Sequence, residues 1–157
     1  MKKQPAIETA MSRSVNVLSV SPVEDDRVAL EQILSRPQWA AYSDVKWTLR
    51  SVATVEKALT ALHAHSTSVV LCEHDLPGAT WIDLLEKSAG YSACPHLIVT
   101  SRLADDRLWG EALNLGAYDV LAKPFEPDEV IRIVSLAWLH WREQNLATPG
   151  RTMRCVA

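Results

Sequence analysis

The sequence lacks the features that would direct it to a membrane or to nucleic acid. No apolar run approaches the roughly 20 residues that a membrane-spanning helix needs. The formal net charge of -3 gives no electrostatic basis for binding DNA, RNA or an anionic bilayer. The basic start around Lys2 and Lys3 is not followed by the apolar core of a signal peptide. We therefore expect a cytoplasmic protein whose partner is neither nucleic acid nor a membrane.

Cysteine is also scarce, and its spacing matches no known site. The three cysteines are Cys72, Cys94 and Cys155, an odd number without CxxC spacing, which argues against a disulfide framework and a zinc site. We expect two packed thiols and one thiol in the tail. The histidines likewise lack a metal-binding spacing such as HExxH. The sequence therefore predicts no metal and no cofactor.

What the sequence does contain is a regular alternation of strand and helix patterns. Its 157 residues and 48% hydrophobic content suit one globular domain. Apolar runs bounded by turn residues predict buried strands, and apolar residues at helical spacing predict the helices between them. The predicted strands cover 15–20, 45–52, 68–72, 96–100 and 119–122, and the predicted helices cover 24–34, 54–63, 81–88, 105–115 and 127–145.

This alternation favours an α/β fold with its site at one edge. Five strand–helix pairs argue for a parallel sheet covered by helices on both faces. We expect one domain over 15–145, a flexible N-terminal arm at 1–14 and a C-terminal tail at 146–157. In such sheets the reactive groups lie at the carboxyl ends of the strands. Those ends carry Ser21–Pro22, Glu73, Thr100–Ser101 and Lys123–Pro124.

The residues at these strand ends resemble the response-regulator receiver domain. Leu71–Leu85 (LCEHDLPGATWIDLL) resembles the third strand of that family and its D-x-x-x-P-G loop. Leu97–Ser101 (LIVTS) resembles the fourth strand with its terminal Thr/Ser, and Gly116–Phe125 (GAYDVLAKPF) resembles the fifth strand with its Lys-Pro. The resemblance implies a flavodoxin-like, doubly wound sheet of five parallel strands in the order 2-1-3-4-5. With five helices, it forms three α/β/α layers.

The family's chemistry is the transfer of a phosphoryl group to an aspartate, assisted by magnesium. The resemblance places Glu73 at the phosphoacceptor position, Ser21 and Pro22 at the acidic pair, Thr100 and Lys123 at the phosphate contacts, and Val120 at the switch aromatic. Glutamate is one methylene longer than aspartate, and proline offers no metal ligand. We therefore predict a stand-alone receiver-like module of two-component or phosphorelay signalling that needs no phosphorylation and has no catalytic residue.

Several acidic residues have more than one interpretation. Glu73 with Lys123 is either a mimic of the phosphorylated aspartate or a plain buried ion pair, because a buried glutamate needs a partner in both cases. Glu24, Asp25 and Asp26 are interpreted as a solvated helix start that complements the helix dipole, in preference to a shifted metal site.

Two alternative functions remain open at this stage. In the first, the chain is a working phosphoacceptor that uses Asp75 with an atypical magnesium site. In the second, it is a flavodoxin-like cofactor-binding enzyme, for which the loop after the first strand is poorly suited. That loop is acidic, and Pro22 removes a backbone N–H donor.

The last predicted helix is apolar on more than one face. Its sheet-facing side is expected to hold Val130, Val134, Ala137, Trp138 and Trp141. Leu136 and Leu139 fall on the opposite side, with Ile133 on the flank, and these three residues predict an interface. Trp109 of the preceding helix could join it. We expect a homodimer through this helix and a signalling partner such as a histidine kinase or an output protein.

Overall fold

The computed structural model describes residues 14–35, 46–91 and 93–147. The strands of this part are β1 (Ser14–Val20), β2 (Lys46–Val52), β3 (Val69–Glu73), β4 (Asp75–Leu76), β5 (Ala79–Thr80), β6 (His96–Ser101) and β7 (Asp119–Ala122). Its helices are α1 (Glu24–Leu34), α2 (Val55–Ala64), α3 (Trp81–Ser88), α4 (Asp106–Leu115) and α5 (Pro127–Ala147). Apart from β4 and β5, which the sequence did not predict, these bounds lie within three residues of the predicted ones. Of the predicted arm at 1–14 and tail at 146–157, residues 1–13 and 148–157 lie outside the described residues, whereas Ser14 belongs to β1 and residues 146–147 belong to α5.

The main sheet has the predicted topology. Its five parallel strands lie in the order β2-β1-β3-β6-β7, which is the predicted order 2-1-3-4-5 when the short hairpin is left aside. That hairpin, β4 with β5, pairs two residues on each side of Pro77-Gly78. We expected a loop there, because two-residue strands are too short for a periodic pattern. Gly78 has a φ of 74°, which a residue without a Cβ adopts at little cost.

The sheet is covered on both faces, and its side chains alternate between two cores. Val15 and Val17 of β1 share one hydrophobic cluster with residues of α1 and α5. Leu18 and Val20 share the other cluster with residues of α2, α3 and α4. Burial on both faces explains why these strands read as nearly continuous apolar runs in the sequence. It also leaves the carboxyl edge of the sheet as the place where polar groups meet.

Helix α5 packs against the sheet as predicted, but one residue beside its sheet-facing side is buried where an exposed interface residue was predicted. The buried or partly buried residues of its inner face are Val130, Val134, Ala137, Trp138 and Trp141. Leu136 and Leu139 are exposed, at 40% and 39% of their surface. Ile133, however, is only 3% exposed, and it belongs to the same core cluster as Leu30 of α1. The assignment of Ile133 to an interface is therefore wrong, because α1 packs beside α5 and covers this flank.

The cysteines do not all remain thiols. Among the described residues, Cys72 is a free, buried thiol whose pKa is raised by burial and by the nearby charge of Glu73. Cys94 is disulfide-bonded, so the expectation of a packed thiol is wrong there. Cys155 lies outside the described residues. Among the described helices, none combines the length and the apolar content that crossing a membrane requires.

A half-buried histidine, His96, is the first residue of β6, at the opposite end of the strand from the charged carboxyl edge. The ring of His96 packs on that of Tyr118 with 4.9 Å between centroids, and the Tyr118 hydroxyl shares a 2.6 Å hydrogen bond with Nδ1 of His140. Nε2 of His96 is buried without a hydrogen-bond partner among the described residues. Burial, and to a lesser degree the charge of His140, lowers the pKa of His96 to about 4.

His96 should therefore make the protein less stable in acid. The pKa of this histidine is about 6.5 in the unfolded chain, so between pH 6.5 and pH 4 the unfolded state binds more protons than the folded state. Stability should fall as the pH drops through this range, by up to roughly 3 kcal/mol and by less where solvent reaches the ring. Urea unfolding of wild type and His96→Gln at pH 7 and pH 4.5 measures the difference. The exposed His63, changed to Gln, is the matched control. An equal acid loss in wild type and His96→Gln would contradict the assignment.

Candidate functional site

Two sequence-predicted site residues meet at the carboxyl edge of the sheet. Glu73 is the last residue of β3, and Lys123 directly follows β7. Nζ of Lys123 donates a 2.5 Å hydrogen bond to Oε1 of Glu73, and each side chain is 6% exposed. The pairing of Glu73 with Lys123 is therefore present, as both interpretations of the sequence required. A charged pair this deeply buried must be well hydrogen-bonded, since desolvation of each charge is costly.

A third charged group, Asp26, completes the site. Nζ of Lys123 also donates to Oδ2 of Asp26 at 2.6 Å, and the Asp26 side chain is only 13% exposed. The interpretation of Asp26 as part of a solvated helix start is therefore wrong, whereas Glu24 and Asp25 are exposed as expected. Side chains in the first turn of a helix point back toward its N-terminus. From α1 this direction leads to the strand ends, but the rule holds for every residue of the first turn and does not single out Asp26.

Neutral groups fix the carboxylate of Glu73. The Thr100 hydroxyl donates to Oε1 of Glu73 at 3.3 Å, and the backbone N–H of Asp75 donates to Oε2 at 3.3 Å. Both oxygens of Glu73 thus have partners, from β6, from β4 and from the residue that follows β7. Thr100, predicted as a phosphate contact, contacts the carboxylate of Glu73 instead.

The charge balance of the site is one cation against two anions. Burial lowers the pKa of Lys123, but hydrogen bonds and charge attraction from Asp26 and Glu73 outweigh burial, so this pKa is raised overall. Lys123 therefore stays protonated at any physiological pH. An incoming anion would meet a lysine already engaged by two carboxylates, with a net charge of about -1 on the three groups.

The residues at the acidic-pair positions do not form a magnesium site. Ser21 uses its hydroxyl locally: it accepts a 3.1 Å hydrogen bond from the N–H of Val23 and lies 3.5 Å from Oδ2 of Asp26. Pro22 is exposed and has no ligand atom in its side chain. The carboxylates of Asp26 and Glu73 are instead bonded to the ammonium group of Lys123. This donor set does not fit magnesium, which prefers a nearly complete shell of oxygens. The described residues contain no group of three or more potential ligands of the His, Cys, Asp and Glu types.

The remaining predicted positions lie apart from the charged cluster. Val120 is 2% exposed and packs in the core on the side of α2, α3 and α4. Asp75 points outward with 86% of its side chain exposed, and its carboxylate lies 2.9 Å from Nδ1 of His74. No hydrogen bond within the described ranges joins the Asp75 side chain to Lys123. The geometry thus brings together Asp26, Glu73 and Lys123 and leaves Asp75 at the surface.

Comparison with known proteins agrees with this architecture. A family model for the response regulator receiver domain matches residues 20–135. The chain is 26% identical over 147 residues to the C4-dicarboxylate transport transcriptional regulatory protein DctD of Rhizobium meliloti, a match covering 94% of this chain and 30% of that relative. The chain therefore spans less than a third of that relative's length.

Solved structures show the same fold. The signal receiver domain of an HD domain-containing protein from Pseudomonas fluorescens has a TM-score of 0.73 at 23% identity, over 87% of this chain and 95% of that domain. The beryllofluoride-activated NtrC4 receiver domain dimer has a TM-score of 0.69 at 18% identity, over 80% and 98% of the two chains. At these identities the likeness concerns the fold alone.

Proposed function

Because this chain belongs to the response regulator receiver domain family, we propose that it is a protein-interaction module of two-component signalling that works without phosphorylation. One observation carries the proposal. The lysine that resembles the family's phosphate contact is bonded to Glu73 and Asp26 at 2.5 and 2.6 Å. A module of this kind performs no reaction and transmits its signal through contacts with another protein.

Physical chemistry supports the absence of phosphoryl transfer. The transferred group carries dispersed negative charge, so transfer depends on positioned cations. Here the available lysine is neutralised by two carboxylates, and Glu73 holds its longer side chain against Lys123 and Thr100. The Glu73 carboxylate is buried, so losing Lys123 as its charged partner would cost several kcal/mol.

Small phosphodonors should therefore leave the wild-type protein unmodified. Incubation with acetyl phosphate and magnesium is expected to produce no gain in intact mass. Amide NMR spectra should likewise not respond to beryllofluoride with magnesium. A stoichiometric mass gain would sink the proposal. If that gain disappeared in Asp75→Asn, the exposed aspartate would be the acceptor, as in the alternative drawn from the sequence.

The outer face of α5 is the surface we propose for self-association. Leu136 and Leu139 lie one turn apart and are 40% and 39% exposed. Such a pair on a helix whose inner face is already buried suits contact with a second apolar surface. The beryllofluoride-activated NtrC4 receiver domain, which has the same fold, is described as a dimer, which supports self-association. A histidine kinase or an output protein remains the proposed partner outside the homodimer.

Charges on the outer face of α5 should dissociate the dimer. We expect wild type to sediment as a dimer at tens of micromolar, a range that reveals micromolar affinities. Leu136→Glu/Leu139→Glu should weaken association about a hundredfold or more, because two leucines lose their burial and two like charges meet. Val28→Glu on α1, at a residue that is 40% exposed, is the matched control and should remain dimeric. A monomeric wild type would refute self-association.

A further inference from the structure

We propose that Asp26 and Glu73 together form an internal surrogate for a phosphoryl group, with Lys123 as the cation that both carboxylates satisfy. The inference rests on the proposed phosphorylation-independent function and deepens it. It assigns Asp26 as a positioning residue of the site. Glu73 without Asp26 would only replace the acceptor aspartate and would not stand in for a phosphoryl group.

Two carboxylates together carry about the charge of a phosphoryl group. A phosphoryl group on a side chain carries about -1.5 to -2 charges and three acceptor oxygens. Glu73 brings one negative charge, which is too little for a close imitation. Asp26 adds a second charge and presents its own oxygen to the same ammonium group, at nearly the same distance. The two carboxylates therefore match a phosphoryl group in charge and exceed its number of acceptor oxygens.

Placing the carboxylate of Asp26 at this site costs hydration. In the first turn of α1 a carboxylate is stabilised by the helix dipole while it stays in water, as the exposed Asp25 does. The Asp26 side chain instead gives up all but 13% of its exposure. Burial of a carboxylate is unfavourable unless a charged partner offsets it. Lys123 is that partner, so an electrostatic contact fixes the orientation of α1 relative to β7.

Hydrogen bonds of Thr100 and Ser101 link the charged cluster to the loop before α4. Thr100, which donates to Glu73, is followed by Ser101, whose carbonyl accepts the N–H of Lys123 at 3.0 Å. The Ser101 hydroxyl accepts the N–H of Leu103 at 3.0 Å. Leu103 is 78% exposed in the loop before α4. These contacts place the carboxylates within a few residues of an apolar, exposed side chain that a partner can contact.

The test removes both carboxylates and supplies inorganic phosphate as a replacement. In Asp26→Asn/Glu73→Gln, Lys123 and Thr100 face no anion, so phosphate should bind at millimolar concentration and return the amide NMR signals of 101–108 toward their wild-type positions. Asp25→Asn/Glu73→Gln, which keeps Asp26, is the matched control and should bind phosphate at least about tenfold more weakly, a difference of roughly 1.4 kcal/mol. A titration with chloride at the same ionic strength measures how far screening of charges by salt alone changes the NMR signals. Equal phosphate affinity in the two double variants would overturn the surrogate.

A single variant protects the test against unfolding of the double variant. Asp26→Asn should shift the amide signals of 101–108, whereas Asp25→Asn should not. Shifts confined to α1 would overturn the inference, because Asp26 would then hold only its own helix. The proposed function is tested separately. Phosphorylation of wild type by acetyl phosphate would contradict it, whatever the role of Asp26.

Discussion

Replacing Lys123 with methionine should lower the free energy of unfolding by about 3–5 kcal/mol at pH 7, the range expected when one partner of a buried ion pair is removed. The side chain of Lys123 is 6% exposed and bridges two carboxylates. Methionine fills a similar volume but leaves Asp26 and Glu73 side by side without a cation. The repulsion between the two carboxylates and the loss of their hydration both destabilise the folded state. Urea unfolding followed by circular dichroism measures the loss.

The accompanying variants separate a charge effect from a packing effect. Lys87→Met, at an exposed lysine of α3, should change stability by less than about 0.5 kcal/mol, as surface substitutions usually do. Adding Asp26→Asn and Glu73→Gln to Lys123→Met should recover most of the lost stability, since neutral amides have no need of a cation. A loss in the triple variant as large as in Lys123→Met would mean that the lysine stem, and not its charge, stabilises this edge.

The features that the sequence predicted well are those set by local patterns. Continuous apolar runs such as Val15–Val20 identify strands buried on both faces, and Gly116, with a φ of 109°, ends α4 where expected. Strict alternation with right-handed crossovers then fixes which strand ends share an edge. For this reason the proximity of Glu73, Thr100 and Lys123 could be predicted before any coordinates were known.

The features that the sequence did not predict depend on contacts between distant elements. Asp26 looks like its neighbour Asp25 in the chain, and only the position of Lys123 across 97 residues distinguishes them. The helical spacing places Ile133 beside the sheet-facing surface of α5, where a residue can be exposed or buried. It is buried because α1 packs against α5. Cys94 carries no spacing signal for a disulfide. In each case a partner far away in sequence changes the environment that local reasoning assigns.

Phosphorylation should be recoverable if the proposed reason for its loss is correct. Glu73→Asp shortens the acceptor by one methylene and draws its carboxylate away from Lys123, which leaves room for an incoming phosphoryl group. Ser21→Asp and Pro22→Asp add two carboxylates at the end of β1, so three carboxylates meet the oxygen preference of magnesium. Asp26 would still compete for Lys123, because the 2.6 Å contact does not depend on residues 21, 22 or 73.

The effect should therefore appear in two steps. With acetyl phosphate and magnesium, Ser21→Asp/Pro22→Asp/Glu73→Asp is expected to gain one phosphoryl group by intact mass, whereas wild type gains none. Adding Asp26→Asn should speed the reaction roughly tenfold or more, since a freed ammonium group stabilises the transferring charge. Adding Asp25→Asn in its place should leave the rate of the triple variant unchanged, because Asp25 is exposed. If the triple and quadruple variants both stay unmodified although folded, then neither the substituted strand ends nor Asp26 accounts for the loss of phosphorylation.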